Sequence, residues 1–325
     1  MIIVRAPLRV SLCGGGSDLP TFYEKYGGCV ISTTIKKYVY LTLNPAFYRN
    51  DIVLKYSKTE VAHDYSEIEH SIFRDAFRRF DIKGVEIASM ADVPAGTGLG
   101  SSSAFTVALL KLLYTYNNQH ISTYKVAKEA CEIEIDDLKN PIGKQDQFAS
   151  AFGGLKYYEF QPNGFVKVEP IVMLPESFQK LEDNLMLFYT GIKHDASKIL
   201  SEQSKNLASD PEKEKATLAL CELTRELKEH LEENDVDFVG DLLNRAWKIK
   251  KQLAKSISVS EIDQYYDLAI RAGAIGGKLL GAGGGGFLLF YVKPEQQESV
   301  RQALANLKEM NFEIDNSGVS ILYDN

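Results

Sequence analysis

Residues 93–113 read VPAGTGLGSSSAFTVALLKLL, a glycine-punctuated loop that runs straight into an apolar helix. Gly96, Gly98 and Gly100 free the backbone for turns that a side chain opposes, and they let a ligand come close. Ser101, Ser102 and Ser103 then fall where the helix begins. Amides in a first helical turn lack intrahelical partners, and with the helix field they favour a phosphate. A hydroxyl at that point also reaches a metal ion bridging phosphates. A lone G-x-G-x-G is ordinarily a capped helix after a flexible loop; the long apolar helix behind this one turns the reading toward phosphate. The stretch is not a P-loop, because GxxxxGK[ST] is absent. It is a poor dinucleotide fingerprint too, because no acidic ribose partner closes a following βα unit.

Around this centre the chain alternates. IIVRAPLRVSL and GGCVISTTIKKYVYLTL carry the β-branched and aromatic content of strands, as do KGVEIASM and DNLMLFYTG. Residues 67–80 have a helical rhythm, and ISTYKVAKEACEIEIDDL reads as one long amphipathic helix ending before Asn140-Pro141. From about residue 195 to 270 the pattern is mostly helical, with three charged amphipathic elements. A strand pair, a helix from Pro294 to about Met310 and further strands follow. At 325 residues two domains are favoured, and the change of pattern divides them as 1–175 and 176–325.

Three other stretches carry candidate chemistry. Residues 4–20, VRAPLRVSLCGGGSDLP, place an arginine inside a strand and an aspartate after three glycines. A turn, a phosphate cradle and the floor of another pocket all remain open for it. Residues 132–154, EIEIDDLKNPIGKQDQFASAFGG, bring Glu134 and Asp146 together if one ends a helix and the other begins the next. One carboxylate would then hold a divalent cation and the other orient a hydroxyl or accept its proton; a solvated acidic surface is the plainer alternative for several of these residues. Residues 276–292, GGKLLGAGGGGFLLFYV, flank glycines with runs that demand burial, so this is a tight hairpin packed close to other backbone or to a ligand.

Composition limits the partners. The net charge of −7, with 45% hydrophobic and 25% charged residues, is that of a folded protein without a basic field for nucleic acid. Cys13, Cys29, Cys131 and Cys221 have no metal-ligand spacing and read as reduced, buried residues. His63, His70, His120 and His230 lack zinc spacing, and Trp247 sits at helical spacing as a packing anchor. No segment approaches the roughly 20 apolar residues of a membrane span. MIIVRAPLRV is too short an apolar run for a signal peptide, so a cytoplasmic location with no membrane partner is the expectation.

Together, RAPLRVSLCGGGSD, PAGTGLGSSSA and KLLGAGGGGFLLF, in this order, resemble the kinase superfamily of galactokinase, homoserine kinase, mevalonate kinase and phosphomevalonate kinase, the GHMP kinases. The resemblance implies an α+β, two-domain fold with a left-handed βαβ unit in an ATP-binding domain, residues 1–175. Residues 176–325 would complete the cleft, with ATP and Mg²⁺ bound. It further implies nucleotide contacts from Pro94, Gly96, Gly98, Leu99, Gly100, Ser101, Ser102 and Ser103, and metal contacts from Ser102 and Glu134. Asp146 would face the acceptor hydroxyl, with Arg9 beside it; Gly15, Gly16, Ser17, Asp18 and Gly284 would bind the acceptor.

Within the superfamily the chain is most similar to heptose 7-phosphate kinases, through RAPLRVSLCGGGSDLPTFY, NPIGKQDQFASAFGG and LLNRAWKIKKQLAKSIS. These phosphorylate the anomeric C1 hydroxyl of D-glycero-D-manno-heptose 7-phosphate for surface-glycan synthesis. Where galactokinases carry a GEHTD-type motif, this chain has Gly14 to Asp18, which argues against galactose. A kinase for an unphosphorylated sugar such as fucose and a non-catalytic nucleotide- and sugar-binding relative are the alternatives. The expected partner is a small-molecule sugar phosphate, and the protein a monomer or homodimer. Lys193, His194, Arg245, Lys248 and Lys278 are candidates for the distal phosphate, although ordinary surface charge explains any one of them as well.

Overall fold

A computed structural model of the chain describes residues 1–47, 50–80, 82–192 and 196–325. Up to residue 175 its strands are β1 (Ile2–Cys13), β2 (Gly28–Pro45), β3 (Ile52–Lys55), β4 (Thr59–Ala62), β5 (Val85–Ala91), β6 (Lys156–Phe160) and β7 (Val166–Pro170). Then come β8 (Leu185–Tyr189), β9 (Gly276–Leu279), β10 (Phe287–Tyr291), β11 (Lys308–Glu309), β12 (Ile314–Asp315) and β13 (Ser320–Asp324). The larger sheet has the order β13-β1-β2-β5-β3-β4, with β12 and the β6–β7 hairpin attached along β2. β3 and β5 run parallel, joined by a crossover through β4 and the Ser71–Arg78 helix, which forms the expected βαβ unit. The smaller sheet, β11-β8-β10-β9, is antiparallel, so the mixed α+β expectation holds.

β1 matters most for the site. Pro7 has no amide hydrogen to give the ladder, and the strand tolerates it at a bulge, where Pro7 faces Tyr38 while Leu8 already faces Ile35. Beyond the bulge the two-residue period sends Leu8, Val10 and Leu12 into the core and leaves Arg9 and Ser11 together on the other face. The Ser101–Tyr116 helix packs on β1 and β2 and is buried on every side chain from Ser103 to Leu110, as its all-round apolarity requires.

Two expectations need correction, and the strand pairing adds one fact about the chain's end. The helix expected up to residue 138 is α-helical only over Thr123–Cys131 and continues as a π turn, Glu132–Asp137. The Leu138 amide donates to Ile133 O, five residues back, and Lys139 leaves the helix with φ 55°. The helix expected to reach Met310 stops at Ala303, because the Met310 amide is held by Leu187 O where β11 pairs with β8. The chain's end also crosses the division at residue 175: β12 pairs with β2 and β13 with β1, so residues 314–324 belong by pairing to the first sheet.

The helical region divides into Ala196–Ser209, Pro211–Glu232, Phe238–Lys250 and Ser260–Arg271. Phe238–Lys250 lies between Pro211–Glu232 and β9, with Trp247 buried against Tyr266 as a packing anchor. All four cysteines are free and buried. Among the described residues no cluster of histidine, cysteine and carboxylates can hold a metal by itself, and no helix is long and apolar enough to cross a membrane.

Candidate active site

Where the two sheets meet, β1, both glycine loops and several helix ends enclose a cleft of about 260 Å³. The loop before the Ser101–Tyr116 helix turns through left-handed glycines, Gly96 at φ 76°, Gly98 at 84° and Gly100 at 74°. Gly100 caps the helix without a side-chain hydrogen bond to its first amides. The second glycine run supports the first: a Cβ on Gly98 would lie 2.6 Å from Leu280 O, and one on Gly281 would lie 2.7 Å from Gly98 Cα. The expected close packing of the 276–292 stretch is therefore packing against the glycine loop before the Ser101–Tyr116 helix.

Arg9 and Asp146 form the central pair. Arg9 Nε donates to Asp146 Oδ1 at 2.7 Å and Nη2 to Oδ2 at 2.8 Å, while Nη1 donates to Gly98 O. The Arg9 backbone amide also holds Leu99 O at 3.0 Å. Arg9 is buried, but 28% of the Asp146 side chain is open to the cleft. Two planar hydrogen bonds fix the carboxylate and leave its other lone pairs for a ligand. Asp146 stands in the first turn of the Gln145–Phe152 helix, and Oδ2 would lie 3.2 Å from a Cβ on Gly100.

Asp18 lines the same cleft. Its carboxylate accepts from the Gly16 amide at 2.9 Å and the Gln145 amide at 3.2 Å, and burial pushes its pKa up. Gly143 is glycine because the Asp18 carboxylate occupies the place of its Cβ. Glu134, on the π turn, is buried and accepts a hydrogen bond from Ser103 Oγ at 3.1 Å. Burial pushes its pKa up to about 7, with the Asp146 charge adding to the rise.

Two lysines from the second half of the chain complete the lining. Lys250, at the end of its helix, donates to Gly15 O at 2.7 Å, and Lys278, on β9, donates to Leu12 O at 3.3 Å. Burial pulls Lys250 down to about 8 and Lys278 down to about 7; Asp18 opposes the first shift, and Lys250 and Arg9 add to the second.

Of the residues expected from the sequence, Arg9, Gly15, Gly16, Asp18, Gly96, Gly98, Gly100, Ser101, Ser102, Ser103, Glu134, Asp146 and Lys278 line this one cleft. Ser17 does not: its hydroxyl is buried between Gly14 O and Cys29. Leu99 is buried and contributes only its carbonyl, to Arg9, while Pro94 lies outside the lining and accepts from Thr97 Oγ1. Gly284 is also outside, its amide held by Ile257 O, and Gly281 and Ala282 line the cleft instead. Arg245 is paired with Glu226 and Lys248 is exposed, both off the cleft. Lys193 and His194 lie outside the described residues.

Ser11, Gln145 and Lys250 were missed. Ser11 follows Arg9 by the strand period and was detectable that way; Gln145 binds it through Oε1 at 3.1 Å. Lys250 was hidden in a run of basic residues.

The donor set fits a nucleotide triphosphate with its metal. Uncapped helix amides and an exposed Ser102 hydroxyl suit phosphate oxygens, and one carboxylate plus one hydroxyl is the sparse protein contribution that Mg²⁺ takes alongside phosphates.

A glycine-cradled helix start thus lies beside an arginine-clamped aspartate. Residues 55–154 match the family of GHMP kinases N terminal domain and residues 226–309 that of GHMP kinases C terminal. The chain is 33% identical over 319 residues to D-glycero-alpha-D-manno-heptose 7-phosphate kinase of Campylobacter jejuni, covering 93% of each. It is 26% identical to the galactokinase of Thermococcus kodakarensis, over 94% of this chain and 93% of that one. Among solved structures, a D-glycero-D-manno-heptose 1-phosphate kinase from Bacteroides thetaiotaomicron superposes with TM-score 0.82 at 28% identity, covering 100% of both chains. The chain belongs to the GHMP kinase superfamily, and ATP dependence follows from that membership.

Proposed function

We propose that the protein transfers the γ-phosphoryl group of ATP to the anomeric C1 hydroxyl of D-glycero-D-manno-heptose 7-phosphate, giving the 1,7-bisphosphate and ADP. The observation that carries this reading is Asp146, held through both oxygens by Arg9 and abutting Gly100 at the uncapped start of the Ser101–Tyr116 helix. The name of the Campylobacter jejuni relative supports the choice of sugar.

Asp146 orients the C1 hydroxyl and takes its proton as the oxygen bonds to the γ-phosphorus. The bond from that phosphorus to the β–γ bridging oxygen breaks, and ADP leaves with the electron pair. Amides of residues 101–103 bind the phosphates, and Arg9 adds positive charge beside the transferred group. Ser102 and Glu134 would hold Mg²⁺, which neutralises the charge on the phosphates when bound. Gly15, Gly16 and Asp18 hold the sugar.

The test is an acceptor screen with Mg-ATP, comparing heptose 7-phosphate, mannose, fucose, galactose and their terminal phosphates, with product position fixed by phosphorus NMR. A resonance for a new anomeric phosphate on the heptose is expected. Preferential conversion of an unphosphorylated hexose rejects the substrate, and absence of ADP above background with every acceptor rejects the kinase activity.

A further inference from the structure

Among the described residues, Lys250 and Lys278 are buried lysines without an ion-pair contact. Each is about 8% exposed, yet among the described residues neither has a carboxylate within ion-pair distance. Their ammonium groups instead meet backbone carbonyls of the acceptor loop, Gly15 O and Leu12 O. Gln203 joins them: its Oε1 lies 3.5 Å from Lys250 Nζ, and its Nε2 is buried beside Gly16 with no acceptor of its own. Burying cationic donors with no ion-pair contact is costly, and Asp18 acts on Lys250 only at longer range, so a cleft that keeps two such donors in one lining is suited to an incoming anion. The facing charged groups are Asp18, which opposes an anion, and Arg9, which favours one but is already committed to Asp146.

We propose that Lys250 and Lys278 form the subsite for the phosphate monoester already carried by the acceptor, with Gln203 steadying Lys250. The location separates this anion from the transferred one. Both lysines grip the strand end and loop that lead to Asp18, whereas the nucleotide phosphates belong at the Ser101–Tyr116 helix start. The second half of the chain thus reads the far end of the sugar while the first half performs the transfer. This rests on the acceptor being a sugar phosphate, and it assigns the discrimination between phosphorylated and free sugars to these two amines.

The experiment is calorimetric titration, without nucleotide, of heptose 7-phosphate and of unphosphorylated heptose into the full-length wild type, K250M and K278M. Inorganic phosphate serves as competitor, and thermal melting establishes that each variant is folded. Wild type should prefer the phosphorylated sugar by on the order of 10- to 100-fold, the worth of one or two charge-assisted hydrogen bonds. Each methionine variant should lose most of that preference, and inorganic phosphate should compete with heptose 7-phosphate but not with free heptose. Undiminished preference in both folded variants, with heptose 7-phosphate still turned over, overturns the subsite and leaves the proposed function standing. A wild type that neither prefers nor phosphorylates the sugar phosphate overturns both. Should a variant not fold, the wild-type competition decides alone, and equal competition against both sugars rejects the subsite.

Discussion

The two walls of the cleft handle charge in opposite ways. On the first, Arg9 and Asp146 satisfy each other through two short hydrogen bonds. On the second, Lys250 and Lys278 lean on carbonyl groups and, among the described residues, make no ion pair with a carboxylate. A closed ion pair is a fixed tool whose geometry is the same before and after the ligand arrives; buried amines without a counter-ion are held in readiness for one. The first wall should therefore govern rate, and the second should govern affinity, stability and their dependence on pH.

The largest effect should come from Asp146→Asn, which keeps the shape but removes the charge and the proton acceptor. We expect kcat to fall by about a thousandfold, within the usual range for losing a general base, with acceptor affinity changed by no more than a few-fold. Steady-state kinetics beside calorimetry checks this, and unchanged turnover with intact binding removes Asp146 from the chemistry.

Methionine on the second wall should do the reverse for stability. Lys250 and Lys278 are held at about 8 and about 7 against 10.5 for the ordinary side chain. Across that window the unfolded chain binds more protons than the folded one, so these groups make stability rise with pH. Lys278→Met should accordingly stabilise the protein by a few kcal/mol near pH 6 and progressively less toward pH 10, as denaturant titrations at the two pH values would reveal. A loss of stability at both would mean that the ammonium group already has its partner.

The same sign gives a binding prediction. A phosphate monoester draws protons onto both lysines, so its affinity should fall by about tenfold or more from pH 7 to pH 9, while that of the free sugar stays flat. Calorimetry across the range checks the difference, and parallel slopes for the two sugars erase the distinction between the walls.

The smallest effect concerns the loop between them. Gly96→Ala meets open space and should cost only the strain of its left-handed backbone, about 1 kcal/mol. Gly98→Ala also collides with Leu280 O, so it should cost more and weaken nucleotide binding. Thermal melts with and without nucleotide would separate them, and equal losses would mean that the two glycine loops do not bear on each other.

Much of the first wall was legible in the sequence. The glycine loop running into an apolar helix is a local pattern that marks Ser101 to Ser103, the carboxylates of residues 132–154 mark Asp146, and the roles of Arg9 and Ser102 came only from the family resemblance. Which groups of a loop turn inward was not legible: the Ser17 hydroxyl and the Gly284 amide sit among residues that line the cleft and yet turn into backbone hydrogen bonds. The π turn that carries Glu134 escaped because its apolar rhythm reads as ordinary α-helix. Lys250 escaped for a different reason. Among Lys248, Lys250 and Lys251, only packing against β9 and the glycine loop decides which amine is buried, and the other two read the same in sequence.

The return of β13 to β1 has a bearing on how the enzyme is born. The strand that carries Arg9 is bordered on one side by residues 315 positions away, as the Arg5–Ser320 contact marks. During synthesis β1 thus waits with one flank unzipped, exposed to wrong partners until residues 320–324 emerge. Residues made some 315 positions later are the ones that seal this flank of β1.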